Sequence, residues 1–267
     1  MSAPTPAAAV GQGQVHLRID GAIASVTFDR PEARNAMTWA MYESLVRICG
    51  QLQGDTSVRV VRFRGAGGQA FVAGTDIAQF QQFTSGGDGV GYEKRIEACV
   101  GLLESLPMPT VAVLEGWAIG GGLAIATACD FRLATPGTKL GVPIARTLGN
   151  CLSIANVARL VAALGRPRAE RLLLLADMLT AEEALAAGYL LEVAAPDAID
   201  AASSKLCQRL AALAPVTQKV SKIALNRLLH AQLPDVEDLI RACYGSADFR
   251  EGVQAFVGKR PPTWSGR

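Results

Sequence analysis

The stretch of this chain best placed to do chemistry has almost no side-chain chemistry of its own. Residues 113–119, Val-Leu-Glu-Gly-Trp-Ala-Ile, lead into Gly120, Gly121 and Gly122, and Leu123, Ala124, Ile125 and Ala126 follow. The first part reads as a buried strand and the last as the start of an apolar helix. A strand that turns through glycine into a helix aims unpaired backbone N–H groups at whatever lies in front of it. Where a ligand carbonyl becomes an oxyanion, such groups stabilise the charge as it develops. The same glycines have a second use, letting a helix pack closely on a sheet. The segment alone leaves both readings open.

Other chemistry is sparse. The six cysteines, Cys49, Cys99, Cys129, Cys151, Cys207 and Cys243, are widely spread with no C-x-x-C pair, and the two histidines are His16 and His230. This argues against a zinc or iron–sulfur site, so no metal is expected. Scattered cysteines in apolar runs fit buried free thiols in a reducing cytoplasm. A net charge of +2 gives no reason to expect nucleic acid or an anionic membrane as partner. With 50% hydrophobic and 19% charged residues, the 267-residue chain has a globular balance and the length for a large core. Residues 1–14, rich in Ala, Pro and Gly, lack the basic start and apolar centre of a signal peptide and read as a disordered tail. The most apolar window, residues 110–128, contains Glu115 and four glycines between turn signals, which is a poor membrane span.

The elements that must position the glycine turn follow from the pattern. Residues 15–19 alternate apolar and polar, Asp20-Gly21 supplies hairpin chemistry, and residues 23–28 resume β character, predicting an antiparallel hairpin. Thr38 is a plausible N-cap for a helix to about residue 52, with Met41, Leu45, Ile48 and Leu52 at helical spacing. Residues 58–64 read as a strand. Residues 85–91, polar and glycine-rich, are expected to form a mobile loop or lid before a helix over 92–106 that carries Ile96, Val100 and Leu103 on one face. Residues 131–134 form another short strand. Strands alternating with helices argue for an α/β layered or spiral core. Beyond Asn150, residues 154–164, 168–176 and 180–187 read as helices with Gly165 and Gly188 as C-caps, and residues 190–193 as a brief strand. Residues 197–213, 215–231, 234–244 and 248–257 are helical again. That last region is small for a core of its own and is expected to pack on the core, a neighbouring subunit, or both.

These segments carry a resemblance. Residues 70–77, Ala-Phe-Val-Ala-Gly-Thr-Asp-Ile, resemble the A-F-x-A-G-x-D-[IL] segment of the enoyl-CoA hydratase/isomerase (crotonase) superfamily. Residues 117–122 with Cys129-Asp130-Phe131-Arg132 resemble its G-x-[AC]-x-G-G-G…D-x-[RV] segment, and residues 30–37, Arg-Pro-Glu-Ala-Arg-Asn-Ala-Met, its R-P-x-x-x-N-A-[LM] segment. Residues 181–191 resemble its A-x-x-A-x-x-x-G-x-[VL] turn, and Gly252 to Phe256 with Lys259-Arg260-Pro261 its close. The resemblance implies a β-β-α spiral core over residues 15–196 and a helical trimerisation region over 197–267, assembled as a trimer or as a hexamer of two trimers. It implies an acyl-CoA ligand, with coenzyme A as part of the substrate and no further cofactor. The thioester oxygen would sit between the backbone N–H groups of Thr75 and Gly121. Contacts to CoA would fall on Arg34, Ala73, Asp76 and Ile77, with Phe256 and Lys259 contributed by a neighbouring subunit.

The chain departs from the family where a hydratase carries its two glutamates. The first position is Ala124, and the second, after Gly141-Val142-Pro143, is Ile144. Neither side chain transfers a proton. Cys151, after Gly149-Asn150, stands where dehalogenase members place an aspartate. It is a nucleophile or base if its pKa is lowered, for instance by Arg146, and otherwise an inert core thiol. Glu93 and Glu97, one turn apart, either reach over the pocket or form a solvated helix face, the reading given more weight. Glu115 and Asp130 are expected to be structural, and Asp76 to hold its loop. Two functions remain: an acyl-CoA enzyme working by isomerisation, decarboxylation or another variant, or a CoA-thioester-binding protein that has lost catalysis. A serine hydrolase is discounted, since residues 118–128 contain no serine and neither histidine lies in a motif.

Overall fold

In the computed structural model, which describes residues 11–267, the hairpin forms as its turn chemistry dictates. Strands β1 (Gln14–Asp20) and β2 (Ile23–Asp29) pair antiparallel from Asp20↔Ile23 outward, with Gly21 at φ +55° in the turn. Helix α1 (Trp39–Gly54) starts at Thr38, whose side chain accepts the Met41 N–H. The chain then runs through three rounds of a repeating unit. Strands β3 (Val60–Gly65) and β4 (Ala70–Val72) precede α2 (Gly86–Glu104). Strands β5 (Thr110–Leu114) and β6 (Trp117–Ile119) precede α3 (Gly121–Ala128). Strands β7 (Phe131–Ala134) and β8 (Lys139–Gly141) precede α4 (Ile144–Thr147), α5 (Ile154–Leu164) and α6 (Arg166–Leu174).

In each round the first strand joins one sheet and the second strand another. The larger sheet has the order β1-β2-β3-β5-β7-β10, parallel after the opening hairpin, where β10 is Glu192–Val193. The smaller has the order β4-β6-β8-β9, where β9 (Met178–Thr180) closes it antiparallel and α7 (Ala181–Ala186) follows. This is the expected β-β-α spiral. The second sheet is built from three-residue strands too short to show a period of their own. Because β4 and β6 are parallel neighbours, the segments leaving their C-terminal ends emerge side by side. Those segments are residues 73–76 and Gly120–Gly121.

The main apolar core lies between the sheets and α1, α2 and α3, with Phe28, Met41, Leu45, Phe63, Phe71 and Leu103 fully buried. A second cluster forms on the outer side of the larger sheet, where Ile199, Cys207 and Leu210 of α8 (Ile199–Ala211) cover Val60, Val111, Val113 and Leu133. Helix α9 (Pro215–Leu229) is tied down by Lys222, which donates to Asp130 at 2.7 Å and to the Met108 carbonyl at 3.2 Å. Just beyond it, His230 meets Glu104 at 2.7 Å. Val216, Val220, Leu225 and Leu228 of α9 remain exposed. Helices α10 (Glu237–Gly245) and α11 (Ala247–Val257) fold back over α2 and the 3-10 turn Ile77–Gln82. The C-terminal region therefore packs on the core of its own chain.

Two expectations change. Residues 85–91 are not a loop: α2 already starts at Gly86. Ser85 and Asp88 form a capping box, the Asp88 carboxylate accepting the Ser85 N–H at 2.8 Å, and this closes the helix end. Gly86 and Gly89 serve the packing of α10, since a Cβ would lie 2.0 Å from the Arg241 carbonyl oxygen and 2.1 Å from the Tyr244 ring, respectively. Of the expected tail over residues 1–14, residues 1–10 lie outside the described residues. The Gly11 and Gln12 carbonyls accept bonds from Arg30 and Thr38 at 2.8 and 2.7 Å, and Gln14 opens β1.

Candidate active site

The first wall of the site is the turn after β4. Met37 brackets it: its N–H donates to Gly74 O and its carbonyl accepts the Asp76 N–H, both at 2.9 Å. Gly74, at φ +105°, makes the bend that this pairing needs. The Asp76 carboxylate accepts from the buried Arg30 guanidinium at 2.8 Å and from the Ala78 N–H at 3.1 Å, so it holds the loop as expected. Thr75, between these anchors, has a backbone N–H with no acceptor among the described residues. Its Oγ1 lies 2.8 Å from the hydroxyls of both Tyr42 and Tyr92. Burial raises both phenols above their ordinary range, so the cluster is neutral.

The second wall is the glycine turn, where each glycine has its own reason. Gly120 adopts φ +52° and ψ −117° and donates its N–H to Gly141 O at 2.9 Å. Gly121 opens α3, and its N–H, one of the orphan donors of a helix start, has no acceptor among the described residues. A Cβ there would lie 2.8 Å from the Tyr42 hydroxyl and 4.0 Å from the Thr75 backbone nitrogen, so the two turns touch. A Cβ on Gly122 would lie 1.9 Å from the Val72 carbonyl oxygen. The close-packing role therefore falls on Gly122, and Gly121 keeps its N–H available.

Both turns open into one cavity of about 980 Å³. Arg34, Ala73, Thr75, Asp76, Ile77, Gly121, Phe256 and Lys259 all line it. Arg34, Phe256 and Lys259 are exposed at the rim, and the Arg34 guanidinium stands 5.9 Å from the Trp117 ring centre. Phe256 and Lys259 were expected from a neighbouring subunit. Here they reach the cavity of their own chain, because α11 packs against the turn Ile77–Gln82. Ile144 is on the wall, whereas Ala124 is buried in α3.

Cys151 is not among the residues on the cavity wall. The Cys243 sulfur beside it and its burial both push its thiol up, while Arg146 is exposed on α4 and does not lower it. The structure thus sets this thiol apart from the two turns. Glu115 pairs with Arg64 through two bonds of 2.6 and 3.0 Å, and Asp130 accepts from Thr110 N–H at 2.7 Å and from Lys222, both structural as expected. Glu97 is engaged by Arg159 at 2.7 and 2.8 Å.

Glu93 does not lie on a solvated face. It is 2% exposed and lines the cavity. One carboxylate oxygen accepts the Tyr244 hydroxyl at 2.6 Å and the other the Ser153 N–H at 2.9 Å. Burial pushes this carboxyl from the usual 4.5 to about 7, although both donors favour the charged form. The signal for this was present in the sequence. The apolar face of Ile96, Val100 and Leu103, continued backward at helical spacing, passes through Glu93, Gly89 and Gly86.

An α/β spiral with a cavity between a β-strand turn and a helix N-terminus defines a crotonase-type class of protein. Residues 18–267 match the family model described as enoyl-CoA hydratase/isomerase. The short-chain-enoyl-CoA hydratase of Clostridium acetobutylicum is 29% identical over 255 residues, covering 92% of this chain and 95% of that protein. The crystal structure of an enoyl-CoA hydratase/carnithine racemase from Magnetospirillum magneticum aligns with a TM-score of 0.77 at 31% identity, over 95% of this chain and 96% of that one. A methylmalonyl-CoA decarboxylase in complex with 2-nitronate-propionyl-CoA aligns with a TM-score of 0.87 over 95% and 98%, and at 23% identity it bears on the fold alone. The chain belongs to the enoyl-CoA hydratase/isomerase family.

Proposed function

We propose that this protein acts on acyl-CoA thioesters by holding the thioester oxygen on the backbone N–H groups of Thr75 and Gly121 while an enolate forms. The observation that carries this reading is that two N–H groups without acceptors flank one cavity from turns in contact. Preorganised donors of this kind contribute roughly 3–4 kcal/mol each to the stability of a developing oxyanion. Because the backbone supplies them, a threonine at position 75 is compatible with the task. Arg34 and Lys259 at the rim suit the phosphates of CoA, and Ala73, Asp76, Ile77 and Phe256 complete its contacts. No cofactor beyond the CoA of the substrate is required.

The reaction is an enolate reaction other than two-carboxylate hydration, either isomerisation of a double bond or loss of carbon dioxide from a malonyl-type thioester. Ala124 and Ile144 support this, since neither position offers a proton-transferring group. The exposed apolar residues of α9 support assembly into a trimer, or a hexamer of two trimers. A cytoplasmic setting fits free cysteines, and among the described residues no helix is long and apolar enough to cross a membrane. The test is turnover of crotonyl-CoA, a 3-enoyl-CoA and a malonyl-type CoA. Turnover of the second or third with little hydration of the first is the expected outcome. Hydration of crotonyl-CoA as the dominant activity would overturn it, and binding without turnover of any of the three would favour a CoA-thioester-binding protein that has lost catalysis.

A further inference from the structure

The family position of each missing glutamate is filled by a group that cannot move a proton, yet the cavity is not without acids. Among the described residues three carboxylates line it: Glu32, Asp76 and Glu93. Glu32 is exposed at the rim, and Asp76 is committed to Arg30 and to its own turn. Glu93 alone is buried in the wall without a cationic partner, its oxygens fixed by one hydroxyl and one amide N–H. It comes from α2, an element unrelated to the segments that hold the usual glutamates.

We propose that Glu93 is the catalytic acid/base of this protein, taking a proton from the substrate carbon next to the thioester and returning it further along the acyl chain. This rests on the acyl-CoA reading above. For a 3-enoyl thioester the step balances without a co-reactant. The Glu93 carboxylate removes a proton from the α carbon, and the C–H electron pair moves into a dienolate whose oxygen lies on the Thr75 and Gly121 N–H groups. The Glu93 carboxyl then protonates the γ carbon, giving the 2-enoyl thioester and restoring the carboxylate. One base suffices for such a 1,3 shift, which a two-carboxylate hydration does not allow.

Three features fit the assignment. The donors on Glu93 hold its orientation while leaving lone pairs free on both oxygens. Its proton affinity, near neutral because of burial, suits a group that must both accept and give a proton. Glu93 also lines a second cavity of about 400 Å³ that reaches the exposed Lys94 and Asp235, so its proton can exchange with bulk water without crossing the acyl site. The titratable groups facing it are Glu97 and Tyr92 on α2, Tyr42 on α1, Tyr244 and Cys243 on α10, and Cys151 in the loop before α5. Burial raises the three phenols, the Cys243 contact and burial raise the Cys151 thiol, the Cys151 contact lowers the Cys243 thiol, and Glu97 is paired with Arg159.

The test uses the full chain and three readouts. Calorimetric titration with butyryl-CoA, which cannot isomerise, measures acyl-CoA binding without turnover. Proton NMR in D₂O follows exchange of the butyryl-CoA α protons, and absorbance follows conversion of 3-hexenoyl-CoA to 2-hexenoyl-CoA. The wild type is expected to bind, exchange and isomerise, with both rates rising with pH through a midpoint of about 7. Glu93→Gln is expected to lower both rates by about 10²- to 10⁴-fold while butyryl-CoA binds as before. Tyr244→Phe, which removes a donor to the charged carboxylate, is expected to move the midpoint upward. Glu93→Gln with unchanged rates, or a wild type that binds yet shows no exchange or a flat pH profile, would overturn the proposal. The wild-type profile decides even where the variant fails to fold. Failure of butyryl-CoA to bind would overturn the acyl-CoA reading and this assignment with it.

Discussion

At neutral pH the buried Glu93 carboxyl works against the fold, and Glu93→Gln makes that cost measurable. In the unfolded chain this group releases its proton above about 4.5, whereas in the native state it keeps the proton until about 7. Between those values the native state binds more protons than the unfolded state, so stability falls as pH rises. This is the reverse of a carboxylate held by a salt bridge. At about 1.4 kcal/mol for each tenfold difference in proton affinity, the full cost above pH 7 is about 3 kcal/mol. Glutamine is a near isostere of the neutral carboxyl: its oxygen can accept the Ser153 N–H and its amide can donate to the Tyr244 hydroxyl. Wild type and variant should therefore be similarly stable near pH 5, and the variant should be more stable by about 3 kcal/mol at pH 8. Urea unfolding at pH 5, 6, 7 and 8, at fixed protomer concentration, reads the difference, from which titrating groups remote from Glu93 cancel. A gap that stays constant with pH, or one that favours the wild type at pH 8, would refute the burial argument.

Other outcomes follow from the same geometry. Thr75→Val keeps the backbone N–H but strands the buried hydroxyls of Tyr42 and Tyr92, and should cost about 1–3 kcal/mol in urea unfolding. Gly122→Ala drives a Cβ into the Val72 carbonyl oxygen and should abolish accumulation of folded protein, read by soluble yield and thermal melting. Arg34→Ala and Lys259→Ala should each weaken butyryl-CoA binding by about 1.5–3 kcal/mol, with a smaller effect at high salt, and leave the corresponding pantetheine thioester unaffected in calorimetry. Cys151→Ser should leave turnover of 3-hexenoyl-CoA unchanged, because the thiol faces Cys243 and is not on the cavity wall.

The parts of the fold visible in the sequence are those whose causes are local. Asp20-Gly21 makes the hairpin turn, Thr38 caps α1, and Gly165 and Gly188 end their helices at positive φ. Gly120 likewise marks a backbone conformation, so the glycine turn was recognisable from residue types alone. The errors have distant causes. The glycines at 86 and 89 signal a loop only until α10, about 150 residues away, is laid against them. For Glu93 the cause is divided: its place in the register of Ile96, Val100 and Leu103 is local, whereas one of its two donors, Tyr244, comes from α10. The strands of the smaller sheet are three residues long, which is too short for alternation to be read. The choice between a reactive and an inert Cys151 stayed open in the sequence because the neighbour that raises its thiol lies 92 positions further along, at Cys243.

The claim on which the account turns is that the Thr75 and Gly121 N–H groups hold the thioester oxygen. Isotope-edited infrared difference spectroscopy of butyryl-CoA labelled with ¹³C at the thioester carbonyl reads this bond directly. Two preorganised donors polarise the carbonyl more than bulk water does. The bound carbonyl should therefore stretch at a lower frequency than the same thioester free in buffer, and the shift should persist in Glu93→Gln. A bound thioester whose carbonyl frequency equals or exceeds its value in buffer would contradict the account.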